Sequence, residues 1–127
     1  MELGIENKLA LVTGAGRGIG RAVCKSLENQ GVRLIAVSRG QDSLDSLKNE
    51  LKKDFGHIFI ALDLEANSAV DKLVFKIRNS GLSPDIIINN TGGNLNFTDP
   101  LQTMKGWHRV MKLNVEIGIE INEAFIP

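Results

Sequence analysis

The strongest constraint on this chain is a glycine-rich turn, Thr13-Gly14-Ala15-Gly16-Arg17-Gly18-Ile19-Gly20, set directly between an apolar run and a helix-patterned segment. Glycine permits dihedrals closed to other residues and puts no Cβ between the backbone and a neighbour. In that context the turn opens a βαβ unit in which helix and strand pack closely. The rest of the chain continues the alternation. Apolar runs at Leu9 to Thr13, Arg33 to Ser38, Ile58 to Leu62 and Asp85 to Asn89 have β character, and Ile86-Ile87-Ile88 is apolar without alternation, as in a parallel strand covered on both faces. Helical stripes run between them. Ile19, Val23 and Leu27 end at Gly31, and Leu44, Leu47 and Leu51 precede Gly56. Val70, Leu73, Val74 and Ile77 follow the capping residues Asn67 and Ser68 and close near Gly81. A last helix is expected from about Trp107 to Ile126, with Val110, Leu113, Ile117, Ile121 and Ala124 on one face. Strands and helices in this order imply right-handed parallel crossovers, hence an α/β doubly wound parallel sheet with strand order 3-2-1-4. The irregular stretch Thr91 to Gly106, holding Gly93, Asn94, Asn96 and Pro100, is expected to be a long functional loop at the carboxyl end of a strand.

The 127 residues suit one domain, and 15 Lys+Arg interspersed with 15 Asp+Glu argue against the basic field that nucleic acid or an anionic membrane requires. No apolar stretch approaches the roughly 18 residues of a membrane-spanning helix. The amino-terminal residues lack the basic start and apolar run of a secretory signal, and the single Cys24 makes no intramolecular disulfide, so a reducing cytoplasm is the expected compartment. There is no Tyr, which excludes any mechanism in which this chain donates a phenolic proton.

A helix that begins at a glycine turn offers free N–H groups and a partial positive charge to an anion, here the diphosphate of a dinucleotide. An NAD site places an acid about 20 residues past the glycines, where it binds the adenosine ribose. Ser38 holds that place. Arg39 beside it, with Arg17 from the turn, is suited to charge-assisted bonds with a 2′-phosphate, and NADP is the expected cofactor.

These residues resemble the classical short-chain dehydrogenase/reductases, and within them the 3-oxoacyl-carrier-protein reductase group. The resemblance runs over the whole chain and corresponds to about the first half of a family domain, so residues 1–127 are expected to be an incomplete NADP-binding domain. Thr13, Gly14, Gly18, Ile19 and Gly20 match the family's cofactor turn, in which Gly16 also lies, and Arg17 and Arg39 fall where NADP users carry basic residues. The resemblance assigns Asp63, followed by Leu64, to the adenine amino group. It matches Asn89-Asn90-Thr91-Gly92 to the family's Asn-Asn-Ala-Gly, with Thr91 in place of Ala, and so adds Asn90, Thr91 and Gly92 to the cofactor site. Asn114 matches a helix asparagine that interrupts helical bonding and holds a water in a proton relay. The implied activity is hydride transfer between NADPH and a carbonyl or alcohol substrate.

In the family that relay also uses a Ser, a Tyr and a Lys, which follow the stretch ending here at Pro127. The present residues are therefore expected to bind cofactor without completing the reaction. The alternative is a non-catalytic NADP-binding or oligomer-interacting module. Family members usually form dimers or tetramers, with Glu116, Glu120 and Ile121 as candidate partner contacts. Strand four, apolar and unguarded at the sheet edge, points the same way, since another strand or chain must cover it. No metal site is expected: Glu116, Glu120 and Glu123 have no His or Cys at ligand spacing, and His57 and His108 read as structural.

Overall fold

The computed structural model describes residues 2–52, 56–92, 101 and 103–127. Its elements are β1 (Leu9–Val12), α1 (Gly18–Asn29), β2 (Arg33–Ser38), α2 (Gln41–Glu50), β3 (Ile58–Ala61), α3 (Ala69–Asn79), β4 (Ile86–Ile88), α4 (Met104–Met111), a π-helical segment (Lys112–Glu116) and α5 (Ile117–Phe125). The strands form a parallel four-stranded sheet in the order β3-β2-β1-β4. Ala10 is in register with Leu34 on one side and Ile86 on the other. At the start of the β1–β4 pair, Asp85 donates its N–H to the Leu9 carbonyl at 2.8 Å and accepts the Leu9 N–H on Oδ2 at 2.9 Å.

Successive residues of a strand point to opposite faces, so β1 feeds two cores. Leu9 and Leu11 join Ile35, Val37 and Ile60 under α3 and α5. Ala10 and Val12 join Leu34 and Ala36 under α1 and α2, where Cys24, Leu44 and Leu47 meet them. Because α1 follows β1 directly through the glycine turn, its amino end stands at the carboxyl ends of the parallel strands. At the other end of α1, Gly31 donates to the Glu28 carbonyl and Val32 to that of Leu27, and Gly81 and Leu82 repeat the arrangement after α3. His57 leads into β3 and is structural: Nδ1 accepts the Leu34 N–H at 3.0 Å, while Nε2 lies 3.4 Å from the buried Glu28 carboxylate.

Several expectations need correction. Ile19 does not face the sheet; it is 74% exposed, and the buried positions of α1 are Gly20, Cys24 and Glu28. Gly20, the next residue, is the one packed against the turn, where a Cβ would collide with the Gly14 carbonyl oxygen. Ser68 takes the N-cap place of α3 in a left-handed conformation, φ 60°, with no side-chain cap bond. Ile121 is fully buried under the sheet and is no partner contact, whereas Glu116 and Glu120 are exposed. The last helix starts at Met104, capped by the Thr103 hydroxyl, which accepts the Gly106 N–H at 3.2 Å, and it is interrupted by the π segment. Gly93, Asn94, Asn96 and Pro100 of the expected loop lie outside the described residues. Among the described residues, no helix is long and apolar enough to cross a membrane.

Candidate functional site

A cleft of about 850 Å³ opens at the carboxyl ends of the strands. It gathers Gly14, Gly16 and Arg17 from the glycine turn, Ser38 and Arg39 from the end of β2, Asp63 and Leu64 from the end of β3, and Asn90, Thr91 and Gly92 after β4. Arg17 and Arg39 are exposed and make no ion pair with any described residue.

The turn is fixed from beneath. Thr13 is 1% exposed and does not line the cleft; its hydroxyl accepts the Asn90 N–H at 3.0 Å and the Thr91 N–H at 3.2 Å, and lies 3.4 Å from the Ile88 carbonyl. The Asn90 side chain donates to the Gly14 carbonyl at 3.3 Å. The ends of β1 and β4 are therefore one bonded unit. Two glycines are forced by contact. Gly14 has φ +61°, and a Cβ there would lie 2.6 Å from the Asn90 carbonyl oxygen. A Cβ on Gly20 would collide with the Gly14 carbonyl oxygen.

Gly18 and Ile19 stand at the amino end of α1, whose N-cap Arg17 makes no side-chain cap bond and whose first turn carries no acid. The first-turn donors of this helix therefore have no capping side chain, which suits an anion. The α2 side of the cleft is closer. Ser38 Oγ is 3.2 Å from Ser43 Oγ, which itself donates to the Gly40 carbonyl at 2.9 Å. Asp63 commits one oxygen to its own loop, accepting the Glu65 N–H at 3.0 Å, and its side chain remains exposed. Leu64 is buried, 6% exposed.

Asn114 lies in the π segment, where its Nδ2 donates to the Val110 carbonyl at 2.8 Å. Its Oδ1 is 2.8 Å from the point a Cβ on Gly92 would occupy, which brings it against the cleft lining. π segments widen a helix by one residue and occur often at functional sites.

Sequence reasoning missed Arg21, Ser43, Glu65 and Arg109. Arg21 donates to the Gly16 carbonyl at 3.2 Å and the Ser43 carbonyl at 3.3 Å, and pairs with Glu50 at 2.7 Å, so it ties the glycine turn to α2 from behind. That pairing depresses Glu50 to about 2, by hydrogen bonds from Arg21 first and Lys25 second. Burial pushes the Cys24 thiol up to about 12, against a smaller opposing pull from Arg21. The only local sign of this network is the i, i+4 spacing of Arg21 and Lys25.

A parallel sheet in this order, with a glycine turn opening its first helix at the strand ends, defines the doubly wound dinucleotide-binding class. Residues 8–127 match the short chain dehydrogenase family, and the chain belongs to it. It is 31% identical over 121 residues to an NADPH-dependent pterin aldehyde reductase of Arabidopsis thaliana, covering 94% of this chain and 50% of that one. To a 3-oxoacyl-(acyl-carrier-protein) reductase of Buchnera aphidicola it is 34% identical over 123 residues, covering 96% and 49%. Among solved structures, L-sorbose reductase from Gluconobacter frateurii, complexed with NADPH and L-sorbose, superposes with a TM-score of 0.88 at 29% identity, over 100% of this chain and 49% of that one. The chain thus spans about half the length of these relatives.

Proposed function

We propose that this chain is the NADP-binding half of a short-chain oxidoreductase that moves a hydride between NADPH and a carbonyl or alcohol carbon. The observation that carries the reading is the placement of Arg17 and Arg39 on one cleft, with Ser38 where an NAD site would hold an acid. The cleft fits the cofactor on its own terms. Close-packed glycines at 14 and 20 keep the turn flat against the strand end, the α1 amino end offers donors for a diphosphate, and two guanidinium groups stand open for a 2′-phosphate. Gly14, Gly16, Gly18 and the exposed Ile19 would line the diphosphate, with Thr13 and Gly20 holding them in place. Ser38 would face the adenosine ribose, Asp63 and Leu64 the base, and Asn90, Thr91 and Gly92 the nicotinamide side. NADPH supplies the hydride when bound.

Asn114 is assigned to the proton relay. Its position in a π segment, against Gly92 at the cleft, supports that role. The chain contains no Tyr, so by itself it binds cofactor without turning it over. Met111, Val115 and Ile119, exposed on the outer side of the last helix, support assembly with a second copy.

Titration with NADPH, followed by nicotinamide fluorescence, tests the reading. NADPH should bind more tightly than NADH, and Arg17→Glu with Arg39→Glu should abolish the difference. Binding indifferent to both reversals, or no binding at all, overturns it. Reduction of a panel of aldehydes and ketones by this chain alone would overturn the account of the missing phenol.

A further inference from the structure

The cleft changes character along its wall. Around the glycine turn its lining is backbone, arginine and hydroxyl; where the segment after β3 meets the last helix it becomes apolar, with Leu62, Leu64 and Leu113 beside Asp63. Arg109 of α4 joins that stretch one helical turn before Leu113, and so on the same face. Its Nη2 lies 3.5 Å from Glu65 Oε1, and Lys112 Nζ donates to the Glu65 carbonyl at 3.1 Å. The Glu65 side chain is 16% exposed and that of Arg109 is 52% exposed. Glu65 therefore engages two cations of the last helix, while the Arg109 side chain stays about half exposed where it lines the cleft. Ion pairs this open contribute little to stability, so the consequence of the pair is positional.

We propose that Arg109 is a further nucleobase-binding residue of this cleft beside Asp63 and Leu64, its guanidinium plane lying against the purine, with Glu65 as the positioning residue that holds it there. The proposal rests on the nucleotide reading above and adds a residue to it. A guanidinium is planar, weakly hydrated and stacks on π faces, which a lysine ammonium does not. Leu62 and Leu113, both half-buried in the lining, supply apolar surface that a base would cover. Asp63, by accepting the Glu65 N–H, fixes the turn that presents Glu65 to Arg109.

Calorimetric titration of the chain with NADPH and with adenosine 2′,5′-bisphosphate separates shape from charge. Arg109→Lys keeps the charge and loses the plane, and should weaken both ligands about tenfold with an unchanged thermal midpoint. Glu65→Gln should weaken both about threefold, and the double variant should lose no more than Arg109→Lys alone. Wild-type affinity in Arg109→Lys overturns the proposal, because charge alone then suffices. A loss confined to NADPH also overturns it, because the effect would lie outside the adenosine half. In both cases the wild-type chain still binds, so the nucleotide reading stands; a wild-type chain that binds neither ligand defeats that reading and this proposal together.

Discussion

The Thr13 hydroxyl and the backbone N–H of Asn90 lie 3.0 Å apart, and this contact joins the glycine turn to the end of β4. The return bond, from the Asn90 side chain to the Gly14 carbonyl at 3.3 Å, makes the link reciprocal. The floor of the cleft is thus set by a buried hydroxyl, and its shape depends on two strands holding their relative height.

Replacing Thr13 with Val keeps the volume and removes the acceptor. Two backbone donors, from Asn90 and Thr91, then lose their partner beneath the cleft, at about 1–3 kcal/mol for a buried unsatisfied group. The urea midpoint should fall accordingly and NADPH affinity should fall with it, whereas Thr13→Ser should retain most of both.

Gly20→Ala tests the close approach of α1 to the turn. The added Cβ meets the Gly14 carbonyl oxygen and lies 2.7 Å from Asn90 Nδ2, and the carbonyl is backbone that cannot swing aside. Overpacking of this kind costs about 1–3 kcal/mol. Circular dichroism melting should show a lowered midpoint, and retention of wild-type stability and NADPH affinity together would contradict the geometry.

The sheet was legible because its strands are continuously apolar and each helix carries a stripe, so Leu44, Leu47, Leu73 and Ile77 announce their burial. The cleft was legible where residues lie next to one another in the chain, as Ser38 does to Arg39. Arg21, Glu65 and Arg109 were not, because their meaning depends on partners that only the crossovers bring near. Ile19 misled because periodicity reports a helix face without saying where the sheet ends beneath it. The interruption at Asn114 was expected from the family resemblance and not from periodicity, because Leu113, Ile117 and Ile121 keep helical spacing while the backbone between them takes up an extra residue.

Ser38→Asp tests the proposed preference for NADPH over NADH. An acid there would accept hydrogen bonds from a ribose diol and repel a 2′-phosphate. Ser38→Asp should therefore weaken NADPH about tenfold or more and strengthen NADH, measured by parallel fluorescence titrations. Equal loss of both ligands would instead indicate damage to the Ser38–Ser43 contact, which lies at 3.2 Å.

Cys24 is fully buried, and burial raises its thiol to about 12, so the reactive thiolate is scarce at neutral pH. Iodoacetamide should label the native protein negligibly and the urea-unfolded chain readily. Labelling of native protein that outpaces global unfolding would show that α1 opens locally away from the sheet.

Glu50 contributes to the acid limb of stability on the α1–α2 side. Its carboxylate, depressed from 4.5 to about 2 by Arg21 and then Lys25, favours the folded state in its charged form. Protons bind more readily to the unfolded chain, so this contribution is complete above about pH 4.5 and is lost as pH falls toward 2. The group is solvent-exposed, and salt should shrink the effect. Urea midpoints measured across that window should decline more steeply in the wild type than in Glu50→Gln, and the two curves should converge at the acid end. Parallel curves throughout would mean that Arg21 holds the glycine turn through its bonds to Gly16 and Ser43 without help from the carboxylate.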